Sequence, residues 1–91
     1  MAQFLVELYV SHADRDAVDR GAERTRFAAE ELTREGTPVR YLHSIFVPAD
    51  ETWFVLCEAG SAGAVREAAR RADLRFDRIA EAIALANFEE E

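Results

Sequence analysis

Hydrophobic positions along the chain switch between a two-residue and a helical period, and the switches divide it into six segments. Residues 3–11 are rich in β-branched and aromatic side chains and are apolar on both faces, which predicts a central β-strand. Apolar or small residues then recur at steps of three and four, with charged residues between them, at Val18, Ala22, Thr25, Ala29 and Leu32. This spacing predicts an amphipathic helix that begins after Asp14, a good N-cap, and ends at Gly36 before Pro38.

The second half of the chain contains two further strands, a helix and a final strand. Val39 to Val47 and Thr52 to Ala59 are predicted strands, and the polar turn 48–51 between them makes the pair a hairpin. A second helix is predicted to open at Gly60 and Ser61, with a stripe of small residues at Val65, Ala68, Ala69 and Ala72. Arg78 to Leu85 is the fourth predicted strand, so the element order is βαββαβ.

This element order is typical of the ferredoxin-like α+β fold. It predicts a four-stranded antiparallel sheet in spatial order 4-1-3-2 with two helices on one face, formed by a single domain over residues 1–91. The core is expected to span residues 3–86, and residues 87–91 are an acidic tail with Phe88 as its anchor. Because the other sheet face also carries apolar residues, a homodimer that packs sheet against sheet is the simplest way to cover it.

Charge and composition narrow the function classes. Apolar residues make up 49% of the chain and charged residues 32%, which is typical of a globular domain. A net charge of −7 disfavours nucleic acid and anionic membrane surfaces as partners. With one cysteine, no basic signal-peptide start and no apolar run of about 20 residues, the sequence favours a cytoplasmic location.

Four polar residues interrupt strands that are otherwise apolar: Glu7, His43, Glu58 and Glu81. If all four side chains lie on the sheet face away from the helices, three carboxylates converge on one imidazole. Buried carboxylates need a partner, a proton or a cation, and mixed nitrogen and oxygen donors suit nickel, zinc or manganese. The hypothesis is a divalent-metal site with His43 as nitrogen donor and the three glutamates as oxygen donors. Tyr9 or Tyr41 would donate hydrogen bonds to these ligands.

Other interpretations of the same residues stay open. Glu58 and Glu81 can lie at strand ends and pair with neighbouring arginines, and His43 can be a hydrogen-bonded core residue. A one-residue slip of the hairpin would put Cys57, instead of Glu58, on the face of His43. The chain contains neither a Cys-x-x-Cys nor a His-Glu-x-x-His spacing, so the four residues are a constellation and not a motif.

A second hypothesis is a cofactor-free enzyme or pathway accessory protein of the dimeric α/β-barrel kind. Such a dimer encloses an apolar cavity, in which His43 and Glu58 would transfer protons in oxygenase, cyclase or isomerase chemistry on a small hydrophobic ligand. A pocket of roughly 300 Å³ or more beside His43 would distinguish this hypothesis. The third is a non-catalytic interaction module whose side chains fill the same face. His12 is interpreted as part of the turn and cap before the first helix.

Several stretches resemble a known family: residues 40–47 (RYLHSIFV), Glu58-Ala59, residues 64–72 (AVREAARRA) and residues 77–81 (DRIAE). They are similar to the small bacterial family catalogued as domain of unknown function 4242, which includes a nickel-binding, nickel-responsive actinobacterial protein. The resemblance extends from Phe4 to Leu85 and implies a ferredoxin-like fold, dimerisation and divalent metal binding. It places His43, Glu7, Glu58 and Glu81 on matching positions. The chain departs from the family pattern at Val55, where the family commonly has cysteine.

Overall fold

The structure, a computed structural model, describes residues 1–85, and the predicted acidic tail 87–91 lies outside the described residues. Its elements are β1 (Ala2–Tyr9), α1 (Arg15–Arg34), β2 (Val39–Val47), a 3-10 turn (Pro48–Asp50), β3 (Thr52–Ala59), α2 (Ala62–Arg71) and β4 (Arg78–Ala82). The predicted βαββαβ order is therefore confirmed. No helix within residues 1–85 is long and apolar enough to cross a membrane.

The four strands form one antiparallel sheet in the order β2-β3-β1-β4, as predicted. β1 lies between β3 and β4, with Val6 opposite both Val55 and Ile79. The β2–β3 hairpin contains an irregularity: Tyr41 pairs with Cys57 but His43 pairs with Leu56, so Leu42 is the additional residue of a β-bulge. The bulge reverses the side-chain alternation along β2, and this decides which residues reach each sheet face.

The core lies between the sheet and the two helices. β1 contributes Phe4, Val6 and Leu8, and β3 contributes every second residue from Trp53 to Ala59. The predicted helix stripes are buried against them at Val18, Thr25, Ala29 and Leu32 of α1 and at Val65, Ala68 and Ala69 of α2. Asp14 and Ser61 cap the two helices by accepting hydrogen bonds from the Ala17 and Ala64 amides.

Two predicted strand boundaries are wrong. β1 ends at Tyr9 and not at residue 11, because the chain turns there toward α1 and only the Val10 amide still bonds across, to the carbonyl of Glu51. β4 ends at Ala82 and not at Leu85. Ala82 pairs with Gln3, near the start of β1, so later residues have almost no strand left to pair with.

An arginine joins the two helices on the outer surface. Arg71 of α2 donates hydrogen bonds to Glu31 of α1, to Glu35, the residue that follows α1, and to Glu67 of its own helix. The hydrogen bonds from Arg70 and Arg71 lower the pKa of Glu67 to about 2, and those from Arg71 lower the pKa of Glu35. The contact holds α1 and α2 in a fixed relation above the sheet.

Candidate functional site

The sheet surface away from the helices, called the open face below, is the candidate site. Its centre is apolar: Leu5 and Leu56 lie opposite each other on adjacent strands, and Phe54 and Ile45 pair next to them. Ile45 is 53% exposed and the other three are half-buried. The chain by itself therefore leaves a contiguous apolar patch in contact with water.

His43 lies on the open face, as predicted, on the edge strand β2. It pairs with Leu56, and its side chain is exposed. Of the two histidines, only His12 is paired with a carboxylate within residues 1–85. His43 is therefore a solvated imidazole beside apolar neighbours and not the hydrogen-bonded core histidine of the alternative interpretation.

Glu58 is the carboxylate nearest to His43 in the strand register. It follows Leu56 by two residues, which puts its side chain on the same face as that of His43, and it pairs with Arg40 on the other side of the bulge. Arg40 on β2 donates a hydrogen bond of 2.8 Å to its Oε1. Glu58 would have to exchange this partner in order to bind a cation.

Glu7 shares the open face but lies farther from His43. It pairs with Phe54 on β3 and Arg78 on β4, so one strand separates it from β2. Strand spacing and rise give a distance of about 12 Å between the Cα atoms of Glu7 and His43. The guanidinium of Arg78 lies 3.5 Å from Glu7 Oε1 and compensates its charge.

Glu81 and Tyr41 do not belong to this group, and their predicted placement on the face of His43 is wrong. Glu81 pairs with Phe4, a core residue, so it projects from the helix side of the sheet, where it is exposed on the edge strand β4. Tyr41 lies before the bulge and His43 after it, so their side chains point to opposite faces. Tyr41 shares a 2.6 Å hydrogen bond with Ser44 and stacks below Arg26 on the helix side.

Cys57 likewise faces the helices. It pairs with Phe4 and Tyr41, is 1% exposed, and burial raises the pKa of its thiol to about 11. The alternative register, with Cys57 beside His43, is therefore wrong. The thiol is an apolar core group and not a ligand or nucleophile.

The described part of one protomer does not assemble a metal site. Residues 1–85 contain no group of three or more His, Cys, Asp or Glu side chains close enough to hold an ion. The open face brings together His43 and Glu58 as one nitrogen donor and one oxygen donor, and Glu7 remains apart. These donor types suit nickel, but a complete coordination sphere needs further ligands.

The structure shows a polar cluster that local sequence spacing could not reveal. Tyr9 donates a 3.0 Å hydrogen bond to Glu51 Oε1, and the His12 ring and backbone amide contact Glu51 Oε2 at 2.9 and 3.1 Å. The hydrogen bonds from His12 lower the pKa of Glu51, and the carboxylate raises the pKa of Tyr9. Glu51 follows the 3-10 turn with φ 50°, in the left-handed region, so the hairpin turn brings it to residues about forty positions earlier.

None of the five surface grooves delineated on residues 1–85 is lined by His43. A groove of about 840 Å³ lies on the helix side of β2, where Tyr41, Ser44 and Phe46 form its floor. The pocket that would distinguish the enzyme hypothesis is thus not among these grooves of the single chain.

Comparison with known proteins identifies a related family. The model of a family described as "Nickel responsive protein SCO4226-like" matches residues 12–82. The crystal structure of SCO4226 from Streptomyces coelicolor A3(2) superposes with a TM-score of 0.78 and 22% sequence identity, covering 93% of this chain and 100% of that chain. A search of curated proteins gives no match. At this identity the structural match shows the fold.

Proposed function

Because the chain belongs to the SCO4226-like family of nickel-responsive proteins, we propose that it is a small metal-binding protein that holds a divalent ion, nickel or a similar one, between two copies of itself. His43 would be the nitrogen donor and Glu58 the nearest oxygen donor. The protein would carry or sense the bound ion, and its donor atoms would determine which metal it binds. A cytoplasmic location fits the single buried cysteine.

The observation that carries the proposal is the position of His43. Its imidazole is exposed beside Leu56, an apolar residue of the open face, and has no carboxylate partner within residues 1–85. A neutral imidazole is the nitrogen ligand most used for nickel and zinc. Glu58 lies within reach on the same face, so the pair provides half of a four-coordinate donor set.

A second copy would complete this donor set. An isologous dimer through the open face would cover Leu5, Phe54 and Leu56 and bring a second His43 and Glu58 to the same interface. Glu58 would exchange Arg40 for the metal, and the released guanidinium would remain available to a carboxylate of the partner. Glu7 would serve as a further oxygen donor only if its ion pair with Arg78 breaks. Glu81 is not a ligand in this proposal, because its side chain lies on the helix side of the sheet.

The test is isothermal titration of chelator-treated protein with nickel, zinc and manganese. His43→Ala is expected to abolish saturable binding, and Glu58→Gln to weaken it, because each removes a donor. His12→Ala is the matched control, since His12 is the other histidine and binds Glu51 instead. We expect the control to retain nickel affinity and to release protons when it binds the metal, because ligands bind metal in their deprotonated form.

The dimer is tested separately by sedimentation equilibrium with and without nickel. Metal sharing predicts one ion per two chains and a dimer that nickel stabilises. Nickel affinity that is indifferent to His43, or one fully occupied ion on a monomer, would contradict the proposal.

A further inference from the structure

The outer edge of β2 leaves main-chain groups unpaired. Within residues 1–85, β2 forms its ladder with β3 only, so alternate residues direct their N–H and C=O groups away from the sheet. The bulge at Leu42 interrupts this edge, and residues 43–47 form the longer regular stretch after it. Such an edge can accept one more strand.

Two neighbouring grooves lie beside this edge, between β2 and α1. The first, about 840 Å³, has a floor of Tyr41, Ser44 and Phe46 and is open to solvent along one side. The second, about 510 Å³, continues past Arg26 and Tyr41, which line both grooves. A long open groove next to a strand edge suits an extended chain better than a compact ligand, which needs enclosure.

The charge of the grooves is opposite to that of the whole chain. Five arginines and three carboxylates line them, a local excess of two positive charges in a chain of net charge −7: Arg15, Arg20, Arg26, Arg34 and Arg40 with Asp19, Glu23 and Glu30. The arginines that form ion pairs within the described part of the chain are Arg40, Arg70, Arg71 and Arg78. Arg15, Arg20 and Arg26 form no ion pair among residues 1–85, and Arg26 stacks on Tyr41 without losing its charge, so the three can attract an external anion.

We propose that the edge of β2 and its groove bind an extended acidic peptide segment of a partner protein as a fifth strand. The main chain of the peptide pairs with residues 43–47. Its alternate side chains, Glu or Asp, meet Arg15, Arg20 and Arg26, and an aromatic residue among them packs on Phe46. The side chain of His43 points to the open face, so this interaction is independent of the proposed metal site.

Fluorescence anisotropy with a labelled peptide of alternating Glu and Thr around a central Phe tests the proposal. The variant Arg15→Glu/Arg26→Glu is compared with Arg66→Glu/Arg75→Glu, which changes the net charge equally at exposed positions outside the groove. We expect the groove variant to weaken binding about tenfold or more, since it replaces two attractive charge pairs by repulsions, and the control to weaken it less than about twofold. Circular dichroism of both variants checks that α1 is intact.

Two N-methylated peptides separate strand addition from simple charge attraction. In an added strand only alternate amides bond to β2, so methylation of one alternate set should abolish binding and methylation of the other should leave it nearly unchanged. Equal effects of the two sets, equal loss in both arginine variants, or no binding at about 1 mM peptide would overturn the proposal. Displacement by citrate at the same carboxylate concentration would indicate a small anion, and loss of self-association in the groove variant would indicate a second copy. Either result would also overturn it.

Discussion

Replacing Gly21 by alanine has two opposite effects on stability: it raises helix propensity, and it overpacks the core. Gly21 is buried within α1, and a Cβ added there would lie 2.7 Å from Trp53 Cη2 and 2.9 Å from Trp53 Cζ3. Carbon atoms in contact normally lie about 3.5–4.0 Å apart, so the ring or the helix would have to move by about 1 Å. Trp53 is only 2% exposed, so its ring cannot move away from the added Cβ into solvent.

The two effects have known magnitudes. Alanine is favoured over glycine inside a helix by about 0.8–1.0 kcal/mol, whereas overpacking a well-filled core costs about 1–3 kcal/mol. We therefore expect Gly21→Ala to lower the free energy of unfolding by about 1 kcal/mol. For a domain of this size that corresponds to a fall in Tm of about 4–8 °C.

Thermal and urea unfolding, followed by circular dichroism and by the fluorescence of the single tryptophan, measure the change. Gly63→Ala is the matched control, because its Cβ would lie 3.7 Å from Ser61 Oγ, an ordinary contact. The same substitution should there raise stability by up to about 1 kcal/mol. A Gly21→Ala protein as stable as the parent would contradict the packing of α1 on Trp53.

Three further predictions follow from individual contacts. The lowered pKa values of Glu67 and Glu35 stabilise the fold above the unfolded-state value of about 4.3, and this stabilisation is lost as the pH falls toward 2. In acid titrations, Arg71→Met should remove the contribution of Glu35 and reduce that of Glu67, which Arg70 still holds, so the unfolding free energy should depend less steeply on pH over that range. Cys57, with its pKa raised to about 11, should react with a maleimide at pH 8 only at the rate of global unfolding, so fast labelling of the native protein would refute its burial. In the dimer proposed above, Leu56→Arg would put a charge at the centre of the open face and should reduce dimerisation at least tenfold in sedimentation experiments. Self-association that the substitution does not change would contradict an interface on the open face.

The fold was predictable because its signals are local. Alternating hydrophobicity, the two caps at Asp14 and Ser61 and the turn before Thr52 identify the elements without any long-range information, and the βαββαβ order then leaves one common sheet arrangement. Strand ends were less predictable, since β4 stops where its partner β1 runs out and not where its own sequence changes.

The candidate site was predicted in part. His43, Glu58 and Glu7 lie on the open face as the two-residue period implies, but Tyr41 does not, because a single additional residue at Leu42 inverts the alternation. A bulge of this kind has no clear sequence signature. Ile79 and Glu81 lie on the same side of β4, as the two-residue period predicts, but the period does not determine which side of the strand faces the helices.

By itself the sequence determined the elements, their order and the charge of the chain, since each depends on neighbours within a few positions. The tertiary structure decided which residues meet. It brought Glu51 to His12 and Tyr9 through the hairpin turn and placed Arg71 among carboxylates of α2 and of the C-terminal end of α1. It also put His43 on the open face with no carboxylate partner among residues 1–85. Contacts between residues distant in sequence depend on register and packing, and both are set by the whole core at once.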